Sequence, residues 1–145
     1  QCSVLSFGYD FVYVYPLTIV ECVSLTAPDN GYVDMSNGND VNATAYYSCG
    51  VGYTLDGNAI TTCLPSGQWN SSVPGCVPVD CGDLFAPNNG YVNKDTGTSY
   101  GQLAVYSCHT GYEITGIVSR ECLDTGYWSE STPECNRVGT FTLTN

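Results

Sequence analysis

The chain is 145 residues long and carries 14 Asp and Glu against 3 Lys and Arg, a formal charge of -11. That surplus repels phosphate backbones, anionic lipid surfaces and heparin-like polyanions, which excludes nucleic acid and heparin as expected partners. Nine cysteines in so short a chain point to an oxidising compartment, so the expected setting is extracellular: secreted, or the ectodomain of a membrane protein.

Residues 1–21 open the chain with a segment of unclear structure. Its apolar stretch "FVYVYPLTIV" at 11–20 is too short to span a bilayer and is interrupted by Pro16, so no direct membrane insertion is expected. It is also a poor signal peptide, with no Lys or Arg before it and no small-residue cleavage site after it. "FVYVY" can add a β-strand. Cys2 has no evident partner and is expected to be unpaired within this sequence, which reads as a fragment of something longer.

From residue 22 the chain alternates short apolar runs with Gly, Asn, Pro and Asp, at spacings typical of small all-β units, and shows no helical periodicity. In "ATAYYSC" the alternation puts Ala43, Ala45, Tyr47 and Cys49 on one face and Thr44, Tyr46 and Ser48 on the other. Further strands are expected over 31–35, 52–55 and 59–64, and at the counterparts of these stretches later in the chain. Residues 77–80, "VPVD", form a short linker stiffened by Pro78. Beyond it "QLAVYSC" repeats the alternation, with Gln102, Ala104, Tyr106 and Cys108 inward and Leu103 and Val105 outward. The tail 136–145 leads to no further motif.

These two regions are copies. Adding 59 to Cys22, Cys49, Cys63 and Cys76 gives Cys81, Cys108, Cys122 and Cys135, and takes Trp69 to Trp128; about 23 of 55 aligned positions are identical without a gap. The nonapeptides "TAPDNGYVD" at 26–34 and "FAPNNGYVN" at 85–93 show the duplication most plainly. In each, Asn30-Gly31 or Asn89-Gly90 is expected to make a turn and Tyr-Val to begin a strand. A unit of about 55 residues is too small for its core alone to outweigh chain entropy, so covalent staples are expected. Four cysteines allow three pairings.

The order Cys22, "APDNGYV", "ATAYYSC", "GYTLDG", Cys63, "SGQW", "PGC", repeated from Cys81 to Cys135, resembles two sushi modules, also called complement control protein repeats. The resemblance covers 22–76 and 81–135. It implies an all-β pair of small disulfide-stapled modules arranged end to end as a short rod. The pairing it implies is first cysteine with third and second with fourth: Cys22–Cys63, Cys49–Cys76, Cys81–Cys122 and Cys108–Cys135. Trp69 and Trp128, between the third and fourth cysteines, and the inward Tyr47 and Tyr106 are the expected core aromatics.

Chemistry is sparse. The one histidine, His109, stands where the first module has Gly50, so a histidine-based enzyme could use only one copy. Neither zinc nor calcium spacing is present: the acids of "DMSNGND" at 34–40 do not follow an EF-hand pattern. No metal site and no cofactor are expected. Asn42 in "NAT" and Asn70 in "NSS" are glycosylation candidates. The loops 34–42 and 93–101 diverge most between the copies, so recognition is expected there; Tyr46, Tyr100 and Tyr127, with no tyrosine at the paired position, read first as half-buried strand residues, with an interface role as the rival. The expected function is non-enzymatic extracellular protein–protein recognition or adhesion, with an extracellular protein ligand. The rivals are a structural spacer, complement regulation, and accessory modules of a protease.

Overall fold

The computed structural model describes residues 18–139, so Cys2, the "FVYVY" segment and residues 140–145 lie outside the described residues. Ten strands and no helix run through the described chain. They are β1 (Gly31–Asp34), β2 (Thr44–Cys49), β3 (Tyr53–Asp56), β4 (Ile60–Thr62), β5 (Gly75–Pro78), β6 (Gly90–Asn93), β7 (Leu103–Cys108), β8 (Tyr112–Thr115), β9 (Ser119–Glu121) and β10 (Glu134–Arg137). Each module holds a three-stranded antiparallel sheet, β1-β2-β4 or β6-β7-β9, and a two-stranded one, β3-β5 or β8-β10.

The central strands follow the alternation of their sequence. Ala45 and Tyr47 are buried while Tyr46 is exposed, and Ala104 and Tyr106 are buried while Leu103 and Val105 are exposed. The registers repeat as well: Gly31 faces Cys49 as Gly90 faces Cys108, and Tyr32 faces Ser48 as Tyr91 faces Ser107.

Strand β4 is shorter than the stretch expected at 59–64, because the chain leaves the ladder where Cys63 pairs across a turn with Trp69. The sequence reading missed β5 and β10 altogether. Gly75 and Pro78 give β5 poor strand propensity. It forms because Cys76 is bridged to β2 and its backbone pairs with β3, from Tyr53 opposite Pro78 to Asp56 opposite Gly75.

Four bridges staple the modules: Cys22–Cys63, Cys49–Cys76, Cys81–Cys122 and Cys108–Cys135, with Cα separations of 5.9, 5.7, 5.7 and 5.6 Å. They close loops of 41 or 27 residues. By loop entropy each contributes about 3–4 kcal/mol, large beside what so small a core supplies.

The repeated nonapeptide is a structural part, and its turn differs from the expected Asn-Gly one. The Gly31 N–H donates to the Pro28 carbonyl at 3.0 Å, and the left-handed residue inside that turn is Asn30, at φ 57°. Asn89, at φ 61°, repeats it. Gly31 is needed for room. A Cβ there would lie 2.6 Å from Cys76 Sγ and 2.8 Å from the Ser48 carbonyl oxygen, and one on Gly90 would lie 2.7 Å from both Cys135 Sγ and the Ser107 oxygen. A side chain at either position would force the bridge or the β-ladder to move.

The two expected core tryptophans differ. Trp128 is 8% exposed and packs with Ala104 and Cys122, whereas Trp69 is only half-buried, a correction to its reading as a core residue. Each indole N–H donates to the carbonyl next after the first cysteine, Val23 at 2.8 Å or Gly82 at 3.0 Å. That pins one edge of the ring near the surface. In module 2 the Arg120 side chain then holds the chain beyond the ring, donating to the carbonyls of Trp128, Ser129 and Glu130 and to Thr132 Oγ1. Module 1 has Thr61 at this place, whose hydroxyl reaches only Asn70 and Ser71. The shorter tie holds less chain beside Trp69.

Candidate recognition surface

The modules meet through Val79. Its N–H donates to the Gly52 carbonyl in module 1 at 2.8 Å, and its own carbonyl accepts from the Tyr100 N–H in module 2 at 2.7 Å. One linker residue is thus hydrogen-bonded from both sides. Asp80 bridges antiparallel to Ser99, and the Cys81 N–H donates to the Thr98 carbonyl. The Tyr100 ring occupies the space where a side chain on Gly52 would stand, and it meets Tyr53 edge-on at 6.2 Å and 74°. Gly52 sits at φ 81°, so both its backbone and the ring above it require glycine.

Electrostatics reinforces the joint. Asp80 Oδ1 accepts from the Gly82 N–H at 3.0 Å. Hydrogen bonds from the Thr98 side chain first, and from the Gly82 backbone second, hold the Asp80 carboxyl below its ordinary pKa.

Loop 93–101 therefore does not stand free as a whole, since Tyr100, near its end, is committed to the joint. Earlier in the loop Lys94 pairs with Asp83 and donates to the Leu84 carbonyl, and Thr96 Oγ1 donates to the Leu103 carbonyl. Loop 34–42 is tied down by its own polar groups. Asp34 accepts from the Ser36 N–H, Asn37 donates to Thr44 Oγ1, and Asn39 donates to the Cys22 carbonyl. Among the described residues no three His, Cys, Asp or Glu side chains converge as a metal site would require.

What the sheets leave open is aromatic and aliphatic. Tyr32, Tyr46 and Ile60 are exposed on the outer face of module 1, and Tyr91, Leu103 and Val105 on that of module 2. Tyr46 stands directly opposite both Asp34 and Ile60, so its ring is flanked by a carboxylate and an apolar branch. Tyr127 is exposed on the turn before Trp128, and Phe85, beside the second nonapeptide, is 83% exposed.

At the edge of these faces the modules differ. In module 2 His109 packs against Tyr91, ring centroids 4.4 Å apart and planes tilted by 54°. In module 1, with Gly50 at that place, a cleft of about 270 Å³ opens between Asn30, Gly31, Tyr32, Gly50, Val51 and Tyr53. A cleft of about 450 Å³ on module 2 is lined by Asn88, Asn89, Glu134 and Asn136 among others, a polar wall with one carboxylate.

The remaining site candidates fall into two groups. Tyr47 and Tyr106 are buried, their hydroxyls without hydrogen-bond partners among the described residues, and burial pushes the Tyr47 phenol upward. Asn42 is exposed in a turn at φ 71°. Asn70 Oδ1 accepts from Thr61 Oγ1 and the Thr62 N–H, both at 2.9 Å. Sequence reasoning missed the Gly52–Tyr100 contact and the part played by Asp80. The signal for the first was present: Tyr100 has Val41 as its counterpart, and Gly52 belongs to "VGY" in one copy as Gly111 belongs to "TGY" in the other.

Fold and surface together define a pair of disulfide-stapled β-modules with tyrosines exposed on their outer faces. The family model for the sushi repeat (SCR repeat) matches residues 22–76 and 81–135, and the chain belongs to that family. It is 37% identical over 119 residues to a rat (Rattus norvegicus) protein, sushi, von Willebrand factor type A, EGF and pentraxin domain-containing protein 1; the match covers 81% of this chain and 3% of that protein. It is 31% identical over 134 residues to mouse (Mus musculus) P-selectin, covering 88% of this chain and 17% of the relative. It is 32% identical over 121 residues to clotting factor C of Tachypleus tridentatus, covering 83% and 12%. The chain thus spans only a small part of the curated relatives it matches.

Proposed function

We propose that the chain is a non-enzymatic, extracellular protein-recognition or adhesion fragment, working within a larger secreted or membrane-attached protein. The observation that carries this reading is the pairing of exposed tyrosines with a fixed frame. Tyr32, Tyr46 and Tyr91 stand on disulfide-stapled sheets, and the joint at Val79 and Tyr100 holds one sheet relative to the next. Rigid aromatic side chains supply contact area at low entropic cost, and a preorganised frame loses little freedom on binding. The selectin and clotting-factor relatives support the same class of role. All eight described cysteines are in bridges and His109 rests on Tyr91, which supports a chain without catalytic chemistry. Asn42 and Asn70 are its glycosylation sites; Asn70 can keep its Oδ1 bonds while a glycan takes Nδ2.

The test is to display the full chain as a multimer against an array of secreted and cell-surface ectodomains. At least one saturable partner is expected, and replacing Tyr32 and Tyr46 together with Ser should weaken it about tenfold or more. The double hydrogen bond at Val79 also suits a spacer, which predicts that every interaction survives that replacement.

A further inference from the structure

The second module carries a template for what the first one lacks. The backbone around His109 and Gly50 is the same: the His109 N–H donates to the Asn89 carbonyl and the Gly50 N–H to the Asn30 carbonyl, both at 2.8 Å. Downstream the Tyr112 N–H donates to the His109 carbonyl at 3.0 Å as the Tyr53 N–H does to that of Gly50 at 3.1 Å. On this shared frame module 2 packs a planar, nitrogen-bearing ring against Tyr91, tilted to it by 54°. Module 1 keeps the matching tyrosine, Tyr32, exposed at 65%, and leaves the place above it empty as a cleft.

Gly50 has no conformational need to be glycine. Its φ is not in the left-handed region, and a Cβ would meet only the Asn30 oxygen, at 3.2 Å. A side chain fits there, as His109 demonstrates in the other copy. The far wall of the cleft is firm, since Tyr53 is backed edge-on by Tyr100. The module that holds it carries charge of one sign: residues 22–76 contain Asp29, Asp34, Asp40 and Asp56 and no Lys, Arg or His.

We propose that the Tyr32–Gly50–Tyr53 cleft of module 1 is a docking slot for an arginine side chain of a basic protein partner, taking the place that His109 fills in module 2. A guanidinium is planar like the imidazole it replaces, always charged, weakly hydrated, and attracted to the face of an aromatic ring. The acidic module supplies the complementary field, which raises the rate and selectivity of encounter. The slot rests on the reading of the chain as a recognition fragment and gives that reading a partner chemistry.

The experiment titrates the full chain with an acetylated, amidated Gly-Arg-Gly tripeptide, followed by amide NMR. A single contact of this kind binds in the millimolar range. Saturable shifts are expected at Gly50, Val51, Tyr32 and Tyr53, about tenfold weaker binding for the isosteric, uncharged citrulline peptide, and weaker binding for the lysine peptide. Gly50→His, which installs the plug of module 2, should abolish those shifts. Tyr32→Ala, at an exposed position that leaves the fold alone, should weaken binding about 2- to 5-fold. His109→Gly should create a second saturating site beside Tyr91. Unchanged binding by Gly50→His, equal binding of the citrulline peptide, or shifts elsewhere would overturn the slot. Such a result leaves the ectodomain array result standing, so failure of the slot and failure of the recognition reading are separate outcomes.

Discussion

Thr61 and Arg120 occupy the same place in two copies of one backbone, and the copies solve the same problem at different strengths. The threonine hydroxyl ties Asn70 and Ser71; the arginine gathers three carbonyls and a hydroxyl. The neighbouring tryptophan follows suit, half-buried in module 1 and buried in module 2. The same division recurs at Gly50 against His109 and at Val41 against Tyr100. Backbone hydrogen bonds and bridges repeat almost without change, so divergence is confined to side chains that do not set the frame. That freedom has buried Trp128 in module 2 and left module 1 with the cleft beside Tyr32.

The largest expected effect tests that asymmetry directly. Trp128→Ala should destabilise module 2 by about 3–5 kcal/mol. Trp69→Ala, whose ring is already partly in water, should cost module 1 about 1–2 kcal/mol. Guanidinium unfolding of the full chain, followed by amide signals assigned to each module, separates the two; equal costs would break the comparison.

A smaller effect is expected where the modules touch. Tyr100→Ala removes an edge-on aromatic contact worth about 0.5–1.5 kcal/mol and should barely move either unfolding transition. Its main result should be that residual dipolar couplings of the two modules no longer fit one alignment tensor. A retained common tensor would mean that the Val79 hydrogen bonds hold the joint without the ring.

The smallest concerns pH. The Asp80 pKa is lowered in the folded chain, so the carboxylate's contribution is complete above the ordinary aspartate value of 3.8 and is lost as pH falls through the lowered value. The Gly82 amide, which donates to that carboxylate, should therefore titrate with a midpoint below 3.8 while both modules stay folded. A midpoint at or above 3.8 would show that the hydrogen bonds to Asp80 are not kept in solution.

Much of this frame could be read from residues alone. The shift of 59 exposed the duplication, and the alternation of "ATAYYSC" and "QLAVYSC" assigned the inward faces of β2 and β7. Strands β5 and β10 could not be read, because short segments of poor propensity become strands only through partners distant in sequence. The turn of the nonapeptide was located but misassigned: Asn30 takes the left-handed conformation, while Gly31 makes room for a sulfur that arrives from residue 76. Tyr100 stood out as unmatched, yet its contact with Gly52 depends on how one module is set on the next, which no local pattern records. The cleft beside Tyr32 was hidden because only the fold brings residues 30–32 beside residues 50–53.

The crossed bridges have a mechanical consequence. A pull applied at Cys22 and Cys76 need not run through the whole module, because the covalent path can cross from Cys22 to Cys63 and continue along the chain to Cys76. Only 13 residues then bear the load, which limits extension of a fully unravelled module to about 45 Å. With neither bridge the same segment could stretch to about 190 Å. Placed between an anchor and a contact, such a unit behaves as a short tether whose reach stays bounded even after its sheets have come apart.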